Sequence, residues 1–261
     1  MLKSATLAIA LMAAPLLGAA ESAAPAAGAE SKPLDWQSWQ AGNDVRNTAS
    51  LQRGARNFVN YCLGCHSLKY LRYSRMAADL GIPEAQLKAN LMPTGDKVGD
   101  YMLTTMAAAD GEAWFGKAPP DLSLMSRARG VDYLYRFLKT FHADLATASG
   151  SNNLQLANAA MPAVLSGLEG VKQAVYVTHT STVDGKPVTE KVFDHFETVA
   201  PGTLSAAEYD DFVRDTVNFL AYVGEPAQTQ RVDIGIWVVL FLLAFTWLAW
   251  LLKKEYWKDV H

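Results

Sequence analysis

Cys62-Leu63-Gly64-Cys65-His66 is the stretch from which the rest of this chain is read. Two thiols three residues apart on one helical turn can each add to a haem vinyl group as a thioether. The adjacent histidine then lies beneath the macrocycle, where its Nε2 can bind iron. The sequence has 2 cysteines in 261 residues, so both are consumed by the motif and no disulfide framework is on offer. Two other chemistries use Cys-x-x-Cys. A thioredoxin-like pair needs a surrounding βαβ pattern, and a zinc site needs two further ligands at finger spacing. The helical pattern upstream and the isolated histidines supply neither.

Upstream of the motif, Leu51, Ala55, Phe58, Val59 and Cys62 recur at helical spacing, while Gln52, Arg53, Arg56 and Asn57 fall elsewhere. This predicts a helix running into the motif, its apolar face beside the cofactor and against later helices. Downstream, a carrier of single electrons needs both axial positions of iron filled, and methionine is the usual second ligand. Met76, Met92, Met102, Met106, Met125 and Met161 are available. Met92 and Met161 each precede a proline, which favours an extended backbone able to present the sulfur. His142, His179 and His195 are the imidazole alternatives, and spacing alone leaves the choice open.

The two ends of the chain differ from its middle. Met1 to Ala20 has one early cation, Lys3, an apolar run, and small residues at Gly18 and Ala20. It reads as a secretory signal peptide over 1–20, followed by a flexible Ala/Ser/Gly/Pro segment over 21–35. Ile234 to Leu252 carries no charged side chain; at ~1.5 Å rise per residue it spans ~28 Å, close to a bilayer's hydrocarbon thickness. Lys253, Lys254 and Lys258 follow at once, with Tyr256 and Trp257 among them. The expected organisation is a haem domain over 36–230, an anchor over 231–252 and a tail over 253–261. By the positive-inside rule the tail is cytoplasmic and the haem domain periplasmic. The lipid bilayer is thus an expected partner. No basic run points to nucleic acid.

Helical signals recur between motif and anchor. Pro83 opens a turn toward Leu91; Gly99 to Ala109 carries Met102, Leu103 and Met106; Val131 to Phe141 places Leu134, Tyr135, Phe137 and Leu138. Ser205 with Glu208 resembles a capping box for a helix to about Tyr222, and Gly224 and Pro226 break the chain before the anchor. Val175 to Thr198 reads as a β-hairpin turning near Asp184-Gly185. The expected fold is mainly α: an enlarged class I cytochrome c-like domain with long loops, one hairpin and one C-terminal transmembrane helix.

Several segments in order resemble cytochrome c1, the haem subunit of the cytochrome bc1 complex, in its bacterial form. They are Leu51 to Ala55 leading into Cys62 to Leu68; Pro119-Pro120-Asp121-Leu122-Ser123; Arg127-Ala128-Arg129 with Asp132-Tyr133; Met161-Pro162; and Glu255 to Val260 after the anchor. The resemblance covers the chain from about Trp36 to its end. It implies one covalent haem c, with His66 and Met161 as axial ligands and Arg129 and Tyr133 beside a propionate. It also implies that the Pro119-Pro120 turn, through a carbonyl such as that of Pro120, fixes the His66 tautomer. The implied partners are a cytochrome b, a Rieske iron-sulfur protein and a soluble or membrane-bound c-type cytochrome acceptor. The resemblance further implies that the chain itself makes or breaks no bond and is the redox subunit of a quinol–cytochrome c reductase in the bacterial inner membrane; a free-standing anchored carrier for another oxidase or dehydrogenase, and a haem sensor or peroxidase, are the alternatives. The formal charge of -3 fits ordinary solubility and equally a surface that steers a basic cytochrome.

Overall fold

The computed structural model describes residues 34–183 and 186–260. The expected signal peptide, residues 21–33 and the hairpin turn at Asp184-Gly185 lie outside the described residues.

Two helices set the frame. Helix α1 (Thr48–Tyr61) starts at Asn47, whose side chain accepts the Ser50 N–H. A glycine within it sets how closely the other helix approaches. A Cβ on Gly54 would lie 2.1 Å from the Asp215 carbonyl oxygen and 2.6 Å from the Phe219 Cβ. Those two residues belong to the C-terminal helix of the domain, Ala206–Gly224, which begins with the expected capping box of Ser205 and Glu208. Around this crossing Phe58 and Phe219, both fully buried, meet at 5.9 Å between ring centroids. Arg53 forks onto Asp215 at 2.5 and 2.9 Å. With Arg53 half-exposed, that pair is worth roughly 1 kcal/mol or less, against ~2–3 kcal/mol for each buried phenyl ring. Packing decides the crossing. Asn57, expected off the apolar face, is buried instead and bonds the Phe212 carbonyl and the Thr216 hydroxyl, each at 3.2 Å.

Between these helices the chain forms β1 (Leu68–Arg72), α2 (Tyr73–Leu80), α3 (Glu84–Asn90) and β2 (Tyr101–Met102). The expected helix over Gly99 to Ala109 is therefore not one. Its first part pairs antiparallel with β1, Leu68 opposite Met102, and α4 (Ala108–Phe115) begins only afterwards. The Met102 side chain is fully buried, so the apolar spacing that suggested a helix instead serves a short strand and a loop. Next come α5 (Met125–Arg129), α6 (Val131–Lys139), β3 (Phe141–Ala143), β4 (Ser151–Asn153), α7 (Ser166–Glu169), β5 (Gly170–Val183) and β6 (Lys186–Pro201). The hairpin is present and longer than its sequence limits. Its strands join β3 and β4 in a sheet ordered β4-β3-β5-β6. The helix from Ala206 is α8, and α9 (Gln228–Tyr256) closes the chain. The fold is mainly helical, as expected; the described residues form two small sheets, of which only the hairpin was expected. Helix α9 has 29 residues, a mean hydropathy of 2.3 over its most apolar window and none of that window buried. It is long and apolar enough to cross a bilayer.

A charged knot ties α8 to the start of the domain. Asp210 accepts from Lys139, from the Tyr135 hydroxyl and, at 2.6 Å, from Arg214 Nε. Arg214 also donates to the carbonyls of Gln40, at 3.0 Å, and Ala41. Burial alone pushes the Asp210 carboxyl up, but the bonds from Lys139, Tyr135 and Arg214 outweigh it and hold it at about 2. Its folded value lies below its unfolded one, so its contribution is complete above the ordinary carboxylate range and lost as pH falls through about 2. Asp210→Asn is therefore expected to cost about 2 kcal/mol near pH 7, a Tm drop of ~4–8 °C. Thermal melts of the solubilised chain should show that gap narrowing between roughly pH 4 and pH 2.

Candidate haem site

Helix α1 delivers the motif and then ends. Cys62 closes it, with its N–H on the Phe58 carbonyl at 2.8 Å. The chain then turns: the N–H groups of Cys65 and His66 both donate to the Cys62 carbonyl, at 3.0 and 2.8 Å. The motif thus occupies a hydrogen-bonded turn at the carbonyl-rich end of the helix. That end disfavours a thiolate, unlike the helix N-termini that activate redox cysteines. Burial, with a smaller contribution from Cys65, pushes the Cys62 thiol up to about 12. A thioredoxin-like nucleophile has the opposite character. Among the described residues, no three His, Cys, Asp or Glu side chains gather as a metal cluster, so a zinc finger has no counterpart there.

Thr104 pins the turn from outside the motif. Its hydroxyl donates to the Gly64 carbonyl at 2.8 Å, and its N–H donates to the Ser67 hydroxyl at 2.9 Å. His66 Nδ1 lies 2.7 Å from the Pro120 carbonyl oxygen. A carbonyl can only accept, so Nδ1 carries the hydrogen and Nε2 keeps its lone pair. Burial lowers the imidazole below its ordinary value, partly offset by the Pro120 bond and the nearby Asp121 charge. The ring is neutral at pH 7, as a metal ligand must be.

Cys62, Cys65, His66, Pro119, Pro120 and Met161 line one cavity, walled further by Tyr61, Phe115 and Val164. The loop presenting Met161 is fastened to β4, where the Ser151 hydroxyl accepts the Ala163 N–H at 3.1 Å. Among the described side chains, none of the other sulfur and imidazole candidates lines this cavity. Met76 and Met102 are fully buried in the core, and Met92 and Met125 pack against it. His142 lies buried beside Phe196 with Nδ1 on the Thr140 carbonyl at 3.2 Å, and His195 pairs with Asp194 at 2.7 Å. The His179 side chain lies outside the described residues. Arg129 and Tyr133 are brought to each other, the guanidinium 5.5 Å from the ring centroid, but neither lines the cavity.

Sequence reasoning missed Thr104, Ser67 and the apolar walls Tyr61, Phe115 and Val164. No periodicity marks them, because they reach the site from unconnected loops and helix ends. Two thiols, a neutral imidazole with a free Nε2 and a thioether around an apolar-walled cavity fit a covalently held haem. A mainly helical domain with this donor set and one C-terminal helix long and apolar enough to cross a bilayer has the architecture of a c-type cytochrome.

The comparisons agree. The model of the cytochrome c1 family matches residues 38–100 and 92–260. Cytochrome c1 of Allochromatium vinosum is 48% identical over 218 residues, 84% of this chain and 87% of that protein. A Nitrosomonas europaea protein named ammonia monooxygenase gamma subunit is 44% identical over 218 residues, 84% of this chain and 86% of that one. Cytochrome b/c1 of Bradyrhizobium diazoefficiens is 28% identical over 294 residues, 98% of this chain and 40% of that longer protein. The chain belongs to the cytochrome c1 family, a family of electron carriers that implies c-type haem.

Thr104→Val keeps the shape of the side chain but removes the bond to Gly64. We expect a loss of about 1 kcal/mol, seen as a Tm lower by ~2–4 °C in thermal melts of the purified protein.

Proposed function

We propose that this chain is the haem-bearing electron-transfer subunit of a respiratory cytochrome bc1 complex. One haem c is held by thioethers to Cys62 and Cys65, with His66 and Met161 as axial ligands. The observation that carries this reading is that Cys62, Cys65, His66 and Met161 share one cavity in a chain of this family. The haem, when bound, supplies a one-electron iron couple. The chain binds it, orients the His66 ring through Pro120, keeps water from it with Tyr61, Phe115 and Val164, and sets its potential through the Met161 thioether. Arg129 and Tyr133 are the side chains proposed to meet a propionate.

Electrons enter from a Rieske iron-sulfur protein and leave to a soluble or membrane-bound c-type cytochrome. Helix α9 packs against a cytochrome b, a pairing supported by the fused name of the Bradyrhizobium relative. Residues 1–20 are removed as a signal peptide, the haem domain stands in the periplasm of a bacterium, and the Lys-rich tail after α9 stays in the cytoplasm. A second reading has support of its own in the name of the Nitrosomonas relative. In it, the chain is an anchored c-type carrier serving a different oxidase or dehydrogenase, with the same haem chemistry.

Mild detergent extraction separates the two. The complex reading expects a cytochrome b and a Rieske protein to co-purify with the chain, and their consistent absence would favour the second reading. Met161→Ala should make the reduced protein bind carbon monoxide and should lower its midpoint potential. If neither changes, Met161 is not an axial ligand.

A further inference from the structure

The Pro120 carbonyl sits on an exposed turn that no helix or strand holds, yet it meets His66 Nδ1 at 2.7 Å. Something must fix it there, and the next residue does so. One Asp121 carboxylate oxygen accepts the Lys69 N–H at 2.8 Å, and the other accepts the Ser123 N–H at 3.0 Å. Lys69 lies on β1, three residues beyond His66, so this carboxylate spans the two segments that carry the two halves of the contact. Two neighbouring bonds act in the same direction: Leu122 N–H to the Ser67 carbonyl at 2.9 Å and Tyr70 N–H to the Ser123 hydroxyl at 3.2 Å. Of these, the Asp121 bonds are charge-assisted and the stronger, and both depend on one side chain.

We propose that Asp121 is a positioning residue for His66: its carboxylate clips the Pro119-Pro120 turn to β1 and so holds the carbonyl that orients the imidazole. This rests on the reading of His66 as an iron ligand. A firm bond at Nδ1 makes the ring a stronger donor through Nε2 and stabilises the oxidised metal. Loosening that bond raises the potential. The negative charge of Asp121 acts in the same direction through space, which is why position and charge have to be separated by experiment.

Two variants of the full-length, solubilised, haem-bearing chain separate them. Asp121→Asn and Asp121→Ala lose the same charge, but asparagine keeps an oxygen able to accept one of the two N–H groups. Two readouts are needed: the midpoint potential and, by nuclear magnetic resonance, the exchange rate of the His66 Nδ1 proton. The proposal expects exchange about tenfold faster in Asp121→Ala, corresponding to loss of the one charge-assisted bond, from Lys69, that joins the two segments. Asp121→Asn should fall between it and the wild type, and the potential should rise in both variants but further in Asp121→Ala. Wild-type exchange in both variants, with equal potentials, would overturn it. If Asp121→Ala does not mature, Asp121→Asn decides alone: faster exchange supports the clip and wild-type exchange refutes it. A wild-type chain whose mass shows no attached haem would overturn the ligand reading, and this proposal with it.

Discussion

Five consecutive residues must offer two sulfurs and one imidazole to the same cavity while the backbone leaves a helix. Much of the domain answers that constraint. Helix α1 has to stop at Cys62, and the turn after it is closed by two bonds to a single carbonyl. The imidazole then needs an acceptor from a distant segment, and the Pro120 carbonyl supplies it. The Met161 side chain reaches the same cavity from a loop nearly a hundred residues later, fastened to β4 through Ser151. Leu63, fully buried between the two cysteines, anchors the turn itself in the core.

The second constraint is the approach of α1 to α8. The axes can come this close only because residue 54 has no side chain, and the contact runs from Arg53 through Phe58 on one helix and from Phe212 through Phe219 on the other. This joins the two ends of the domain. The helix carrying the motif is braced by the helix that leads, after Gly224, into α9.

What the sequence made legible was local. Cys62 to His66, the Ser205–Glu208 capping box and the uncharged run ending at Leu252 each carry their physics within one segment, and each lies where its pattern put it. The short strands were not legible. Tyr101–Met102 and Ser151–Asn153 are too brief for any period to show, and they exist because a partner strand offers its backbone groups. Tertiary demand also reversed the reading of Asn57, a polar side chain buried because Phe212 and Thr216 satisfy it. Of the site, the motif could be read directly from its spacing. The choice of Met161 over Met92 needed the family pattern, since both precede proline. Thr104 was silent, because one hydroxyl in a loop gives no sign of which carbonyl it will meet.

The mass of the intact chain after extraction with acidic acetone tests the central claim most directly. The account predicts the polypeptide plus one haem, with the red colour staying on the protein. A bare polypeptide mass, with the colour passing into the solvent, would contradict it.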